Sequence, residues 1–467
     1  MINTYFELQI KENFRLYPTF EQEKAIKTLS NYLFSGKEGG ICLLKGYAGT
    51  GKTSLVGALV KTMTQLKQPV VLLAPTGRAA KVFSLYASHP AYSIHRRIYR
   101  EKTVNDLRGE FALNFNKYNR ALFIVDEASM ISNQGLAGGA FGSGRLLDDL
   151  LSFVFSGTDC KLLLLGDSAQ LPPVGEEESP ALSESLLAGS GHTIYSCELT
   201  QVVRQQESSG ILYNATKIRQ QIQGGILTVP KVKITGFEDV CILPGNELIE
   251  ALSSSYSRVG IEDTMVICKS NKRAIIYNNG IRNQILGRED ELAQGDRIMV
   301  AKNNYYWTEG IKEIDFIANG DIAIVRRVRR HRELYGFRFA DVTLEFPDYD
   351  GLEVDATVLL DTLQSESPAL TGEQQEELYN QIMAEYEELP VKEKYKKLKT
   401  DAYYNALQIK YAYAITCHKS QGGQWAHIYL DQGYLVEENI TSSYFHWLYT
   451  AFTRATEKLY LVNWPEK

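Results

Sequence analysis

The chain has 467 residues, 44% hydrophobic and 23% charged, a composition of ordinary globular protein with room for two or more domains. Its net charge of −6 argues against whole-molecule attraction to nucleic acid, so any such binding must use a local basic groove. Six scattered cysteines with no C-x-x-C pair, no apolar run approaching ~18 residues and no signal-peptide pattern predict buried free thiols, no membrane span and a cytoplasmic protein.

Pro18 to Ile26 reads as a helix start with Thr19 as its N-cap, and Gln22 sits on the first turn. Ile41 to Leu44 is a short apolar strand, and Ser54 to Leu66 has helical apolar spacing. Between them lies Gly46-Tyr-Ala-Gly-Thr-Gly-Lys-Thr53, the G-x-x-x-x-G-K-T pattern in its required strand–loop–helix context. Glycines let such a loop turn its N–H groups towards phosphate oxygens at a helix N-terminus. The cradle comprises Gly46, Ala48, Gly49, Thr50, Gly51, Lys52, Thr53 and Ser54, with Lys52 reaching the β- and γ-phosphates and the Thr53 hydroxyl ligating Mg²⁺.

Val70 to Ala74 is a second strand, and Thr76 is placed to cap the helix after it. Ser93-Ile-His95 follows in a polar loop. Residues 96–120, basic at Arg96, Arg97 and Arg100 and aromatic at Phe111, Phe115 and Tyr118, read as a small hairpin insertion. Ala121 to Val125 is a strand that ends in Asp126-Glu127. Downstream of a P-loop such a pair has a use: Asp126 holds Mg²⁺ and Glu127 orients or deprotonates the attacking water. Lys161 to Leu165 is another core strand, followed by Gly166-Asp-Ser-Ala-Gln-Leu-Pro-Pro-Val174, in which the Gln170 amide can sense the γ-phosphate. Arg204 is either a surface cation or an arginine finger. Three apolar strands, each ending in phosphate chemistry, describe a parallel sheet with its site at the carboxyl edge.

A helix through Ile211 to Ile222, ending at Gly224-Gly225, opens a second unit. Its strands are expected at Thr264 to Ile267, Asp296 to Ala301 and Gly320 to Val325. The basic run Arg326 to Arg332 suits a solvated strand edge and phosphate binding equally. Phe337 to Leu360 alternates like antiparallel sheet, and Ser365 to Thr400 turns polar and helical. Tyr411 to Ile415 resumes the core, Trp425 to Leu430 is a strand, and a helix over Ser443 to Thr456 carries Arg454 before a closing strand at Leu459 to Val462.

These segments together resemble the superfamily 1 helicases, in the RecD-like group that includes Dda-type phage helicases. GYAGTGKT, APTGRAAK, SIH, VDEASM, GDSAQLPPVG, ELTQVVRQ, ITCHKSQGGQW and YTAFTRA resemble that family's motifs I, Ia, Ib and II to VI, in its order. The resemblance implies an α/β fold of two RecA-like parallel-sheet P-loop cores. The first spans 1–92 and 121–210, with a pin-like insertion at 93–120. The second spans 211–300 and 405–467, with a β-rich SH3-like insertion and helical arm at 301–404. By the same resemblance Gln22 reads the adenine edge, Gly423 lies near the γ-phosphate, and Arg204 and Arg454 are paired fingers from opposite lobes. Thr76, His95, His418, Lys419 and Ser420 resemble nucleic-acid backbone contacts, although His418 is also compatible with a packed strand-end histidine. The implied activity is ATP- and Mg²⁺-dependent unwinding of DNA by a monomer moving 5′-to-3′ on single strands and at single-/double-strand junctions, in recombination or repair, with replication or recombination proteins as partners. A nucleic-acid-stimulated translocase without unwinding, and a P-loop switch that recruits a protein partner, are the alternatives.

Overall fold

The computed structural model describes residues 2–14, 17–36, 39–101, 111–135, 141–202, 208–311, 313–314, 316–435, 438 and 440–464. Two compact units share the chain. The first comprises Met1–Val240, Gln421–Gly423 and Leu435–Arg454, and the second Cys241–Ser420, Gln424–Tyr434 and Ala455–Lys467.

The first unit is built on strands β1 (Gly40–Gly46), β2 (Val70–Ala74), β3 (Ala91–Ser93), β6 (Leu122–Val125), β7 (Lys161–Gly166) and β8 (Thr193–Leu199). They pair in the order β3-β2-β6-β7-β1-β8, all parallel. The strands are continuous apolar runs because both faces are covered. Side chains alternate between two cores, as a period of two requires. Leu43, Leu73, Phe123 and Leu164 face one core with helix Leu146–Phe155, and Leu44, Leu72, Ile124 and Leu163 the other with helices Phe20–Leu33 and Lys52–Gln65.

Within 93–120, β4 (Tyr99–Glu101) and β5 (Phe111–Leu113) form the antiparallel ladder of the expected hairpin; 102–110, which join them, lie outside the described residues. Phe111 stacks on Phe141, and Tyr118 packs edge-on against Phe123. Phe115, by contrast, is 68% exposed, with the Arg100 guanidinium 4.6 Å from its ring centroid.

The second unit holds a five-stranded sheet and a closed barrel. The sheet runs β16 (Ala414–Thr416), β10 (Thr264–Cys268), β17 (Trp425–Asp431), β18 (Ala455–Val462), β9 (Val240–Leu243), and its first three junctions are parallel. The barrel is β11 (Arg297–Val300), β12 (Ile322–Leu334), β13 (Phe337–Phe346), β14 (Leu352–Leu359) and β15 (Leu407–Tyr411). It closes only with β11 and β15, which lie either side of the 301–404 stretch. Just before β11, Asp296 is fully buried and accepts from Arg282, Arg288, Tyr413 Oη and the Ala293 amide. The helical arm, Gly372–Glu385 and Val391–Lys399, packs Leu378, Ile382 and Leu398 onto Phe337 and Phe339. The basic run lies in β12, and three of its arginines are spent: Arg326 pairs with Glu345, Arg329 with Asp355, and Arg332 with Asp341.

Three expectations change. The helix carrying Arg454 ends earlier, at Phe452, so Arg454 stands in the turn before β18. Residues 421–423 and 435–454 cluster with the first unit, because Gln421 and the helix Ser442–Phe452 bond to the loop after β7. Helix Gly210–Gly224 also belongs there: Arg219 stacks 4.2 Å from the centroid of Tyr47, inside the P-loop.

Candidate nucleotide site

The glycine loop follows β1 and opens helix Lys52–Gln65, whose N-cap Gly51 sits at φ 80°. Only glycine holds that left-handed backbone cheaply. A Cβ on Gly46 would stand 2.7 Å from Lys52 Cγ, so the lysine stem folds back only because Gly46 has none. Lys52 Nζ donates to the Gly46 carbonyl, which holds the ammonium over the loop. Gln22 closes a capping box with Thr19 and also donates to the Thr50 carbonyl at 3.1 Å. Its buried amide keeps one hydrogen and one lone pair for a ligand edge.

Asp126 and Glu127 end β6. Glu127 adopts φ 53°, a left-handed conformation that costs a non-glycine residue roughly 1–2 kcal/mol. The sharp turn sets both carboxylates at the sheet edge. Asp126 accepts from the Glu127 amide on one oxygen and from Tyr86 Oη on the other, leaving each oxygen a lone pair for a cation or its water. Among the described residues no cluster of three or more acids, histidines or cysteines is placed to hold a metal. That donor set fits Mg²⁺, which takes one or two protein ligands, phosphate oxygens and water.

Burial raises the Glu127 carboxyl above its ordinary range; Arg454 and Lys52 oppose this, while Asp126 and Asp167 add to it. Burial likewise raises Asp167, against Lys52, Tyr449 and Arg454. Three acids and two cations thus share one patch at the carboxyl edge of the sheet. Arg454 is 3% exposed and donates to the carbonyls of Thr450 and Gly423 and to Thr453 Oγ1, each at 3.2 Å. Gln170 is buried, and its Oε1 has no hydrogen-bond partner. Ser129 Oγ, two residues past Glu127, is in the same condition.

Of the residues expected here, Gln22, Lys52, Thr53, Asp126, Glu127, Gln170, Gly423 and Arg454 all fall in the first unit. Arg204 lies outside the described residues. Asp167 was legible as a strand-end acid like Asp126. Tyr449 was not: an aromatic on an amphipathic helix reads as core.

The expected nucleic-acid contacts divide. Thr76 caps helix Gly77–Ala87 by accepting from the Ala79 amide at 3.1 Å, and its hydroxyl hydrogen remains for a phosphate. His418 is exposed, and Lys419 bonds to Asn319. Ser420 is fully buried and donates to the Cys417 carbonyl at 2.7 Å, within its own helix turn. His95 packs its ring 4.8 Å from Phe141 and 5.7 Å from Tyr99. Burial pushes its pKa down from 6.5 to about 4, so at neutral pH it brings no charge to a phosphate. The unfolded imidazole takes its proton near pH 6.5 and the folded one only near 4. Stability is therefore lost as pH falls through that window, by about 2–3 kcal/mol. His95→Gln is expected to remove this share of the acid sensitivity, read by urea unfolding at pH 7 and 4.5; an unchanged difference between the two pH values would contradict it.

A parallel sheet with a glycine loop after β1, acids just past the end of β6 and a buried arginine beside them defines a P-loop nucleoside-triphosphate-binding core. Comparison with known proteins narrows this. Residues 20–227 match the AAA domain family model, and 411–462 the UvrD-like helicase C-terminal domain. The ATP-dependent RecD2 DNA helicase of Deinococcus radiodurans is 32% identical over 178 residues, 38% of this chain and 21% of that protein. The ATP-dependent DNA helicase dda of phage T4 is 24% identical over 270 residues, 55% of each. A crystal structure of Bacteroides Pif1 helicase with ADP-AlF3 and single-stranded DNA superimposes with a TM-score of 0.47 at 16% identity, over 96% of this chain and 92% of that one. The chain is thus similar to superfamily 1 helicases of the RecD-like and Dda type. It spans about a fifth of the length of RecD2 and about half that of Dda. No helix among the described residues is long and apolar enough to cross a membrane, and all six cysteines are free.

Proposed function

We propose that this protein is an ATP-dependent DNA helicase that moves 5′-to-3′ along single-stranded DNA and opens duplex ahead of it, acting in the cytoplasm as a monomer. The observation that carries the reading is the convergence of Lys52 and Arg454 on Glu127, beside Asp126. Arg454 is nearly 330 residues from Glu127 in sequence, so a conformational change that moves the Arg454 turn changes the charge at the site.

In this reading the P-loop amides and Lys52 bind the β- and γ-phosphates of ATP, and Gln22 orients the adenine. Mg²⁺ bound at Thr53 and Asp126 would neutralise phosphate charge. Glu127 accepts a proton from the attacking water, a role suited to a carboxyl that burial has raised above its ordinary range. Gln170 holds that water through its unpartnered oxygen. Arg454 stabilises the charge that spreads over the transferring phosphoryl group, and Arg204 is proposed as its companion. Loss of the γ-phosphate then releases Gln170 and Arg454, and the two states grip single strands unequally. Thr76, His418 and Lys419 are the backbone contacts, and Phe115, exposed on the hairpin insertion, stacks on a base at the fork, worth about 1–3 kcal/mol.

The test is strand release from forked, 5′-tailed and 3′-tailed duplexes with ATP and Mg²⁺, with Lys52→Ala as control. Release from forked and 5′-tailed substrates alone supports the proposal. DNA-stimulated ATP turnover with no strand release identifies a translocase instead, and turnover indifferent to DNA identifies a nucleotide switch.

A further inference from the structure

We infer that Tyr449 is a positioning residue of the nucleotide site, a hydroxyl bridge that holds the P-loop in its phosphate-receiving shape. The inference rests on the nucleotide reading of that loop. Tyr449 lies on helix Ser442–Phe452 and is 1% exposed. Its Oη accepts from the Ala48 amide at 3.0 Å and donates to Asp167 Oδ2 at 2.7 Å. Asp167 is itself buried, and its other oxygen accepts from the Ala169 amide at 2.9 Å. One phenol therefore joins the third residue of the glycine loop to the loop after β7 that carries Gln170.

The chemistry is demanding. The joining group must accept from an amide and donate to a carboxylate at once, which a hydroxyl does and a phenyl ring cannot. Without it, a backbone N–H and a carboxylate both lose a partner in a buried place. The neighbouring turns of the helix bond to the loop after β7 as well. Thr450 Oγ1 accepts from the Leu171 amide at 2.8 Å, and His446 Nδ1 donates to the Ala169 carbonyl at 3.0 Å. Gln170 is thus bracketed on both sides by bonds to this helix. On the other side of Ala48, Tyr47 is fixed as well: its Oη donates to Glu198 at 2.7 Å and accepts from Gln223 at 2.8 Å. With Tyr47 and Ala48 both pinned, the amides from Gly49 onward are presented in one geometry before any ligand arrives. Ala48 spends its own N–H on Tyr449, so its part in the cradle is to aim the amides that follow it.

The experiment uses the full chain and three variants. Tyr449→Phe removes the hydroxyl alone. Tyr429→Phe is the control, because Tyr429 is also buried and its hydroxyl donates to the Ala251 carbonyl, remote in function from the loop. Asp167→Asn keeps an acceptor oxygen for the phenol. The readouts are equilibrium binding of fluorescent ADP and of a non-hydrolysable ATP analogue, and hydrogen exchange of the loop amides without nucleotide. Tyr449→Phe is expected to weaken binding of both nucleotides about tenfold, the size of one lost buried hydrogen bond, and to speed exchange at Ala48. Tyr429→Phe should move neither, and Asp167→Asn should leave Ala48 exchange near the wild-type rate. Unchanged affinity in Tyr449→Phe would overturn the inference, and so would tighter binding, which would make the phenol a competitor of the phosphates. Equal loss of Ala48 protection in Asp167→Asn would assign the positioning to the carboxylate and overturn it too. If wild type binds no better than Lys52→Ala, the nucleotide reading itself fails.

Discussion

Glu127→Gln is expected to bind MgATP with near wild-type affinity and to turn it over about 10³-fold more slowly, within the 10²–10⁴ that a positioned general base contributes. The substitution keeps size and shape, and glutamine can occupy the same φ of 53° at the same cost. What it removes is the carboxylate's basicity, which the proposed role requires. The folded site holds this carboxyl above its ordinary range, chiefly by burial, with Arg454 and Lys52 holding it down. Wild-type turnover should therefore fall away on an acid limb displaced upward from that of an exposed glutamate, and that limb should be absent from the variant's residual rate. Single-turnover hydrolysis against pH, with nucleotide affinity measured separately, checks both. Turnover within tenfold of wild type would take Glu127 out of the base role.

Arg454→Ala is expected to lose about 10³–10⁵ in hydrolysis, the range for removing an arginine that stabilises phosphoryl-transfer charge. Here the side chain has a second duty. It is a buried cation beside Glu127 and Asp167, and it lowers both. Removing it lets burial push both acids further up, so protonation competes with base catalysis nearer neutral pH. The carbonyls of Thr450 and Gly423 also lose a charged donor. Arg454→Lys keeps the charge but not the planar fork, so it should recover the pH profile better than the rate. Rapid-quench hydrolysis by both variants, with thermal unfolding to confirm the fold, separates the two duties. A rate within tenfold of wild type in Arg454→Ala would contradict the assignment.

Motifs whose chemistry is local were legible residue by residue. The P-loop, the strand-end pair Asp126-Glu127 and the Thr19–Gln22 helix start all depend on neighbours within a few positions, and each stands where spacing put it. The parallel core was legible for the same reason, since unbroken apolar runs such as Ile41 to Leu44 have no solvent face to alternate with. Other features depended on contacts that spacing does not carry. For the basic run in β12 the spacing left strand edge and phosphate binding open, because the partners Glu345, Asp355 and Asp341 come from β13 and β14, paired alongside. The rings around His95, which burial keeps neutral, include Phe141, 46 positions away in sequence.

By itself, then, the order of residues determined which groups can bind phosphate, hold a cation or take a proton, because side-chain type and spacing along one strand or turn dictate those capacities. Only the tertiary structure decided which of them share a site. Tyr449 with Ala48 and Asp167, Arg454 with Glu127, and Arg219 with Tyr47 are joined across hundreds of positions or across separate elements. Burial and long-range charge set their behaviour, and neither leaves a periodic mark in the chain.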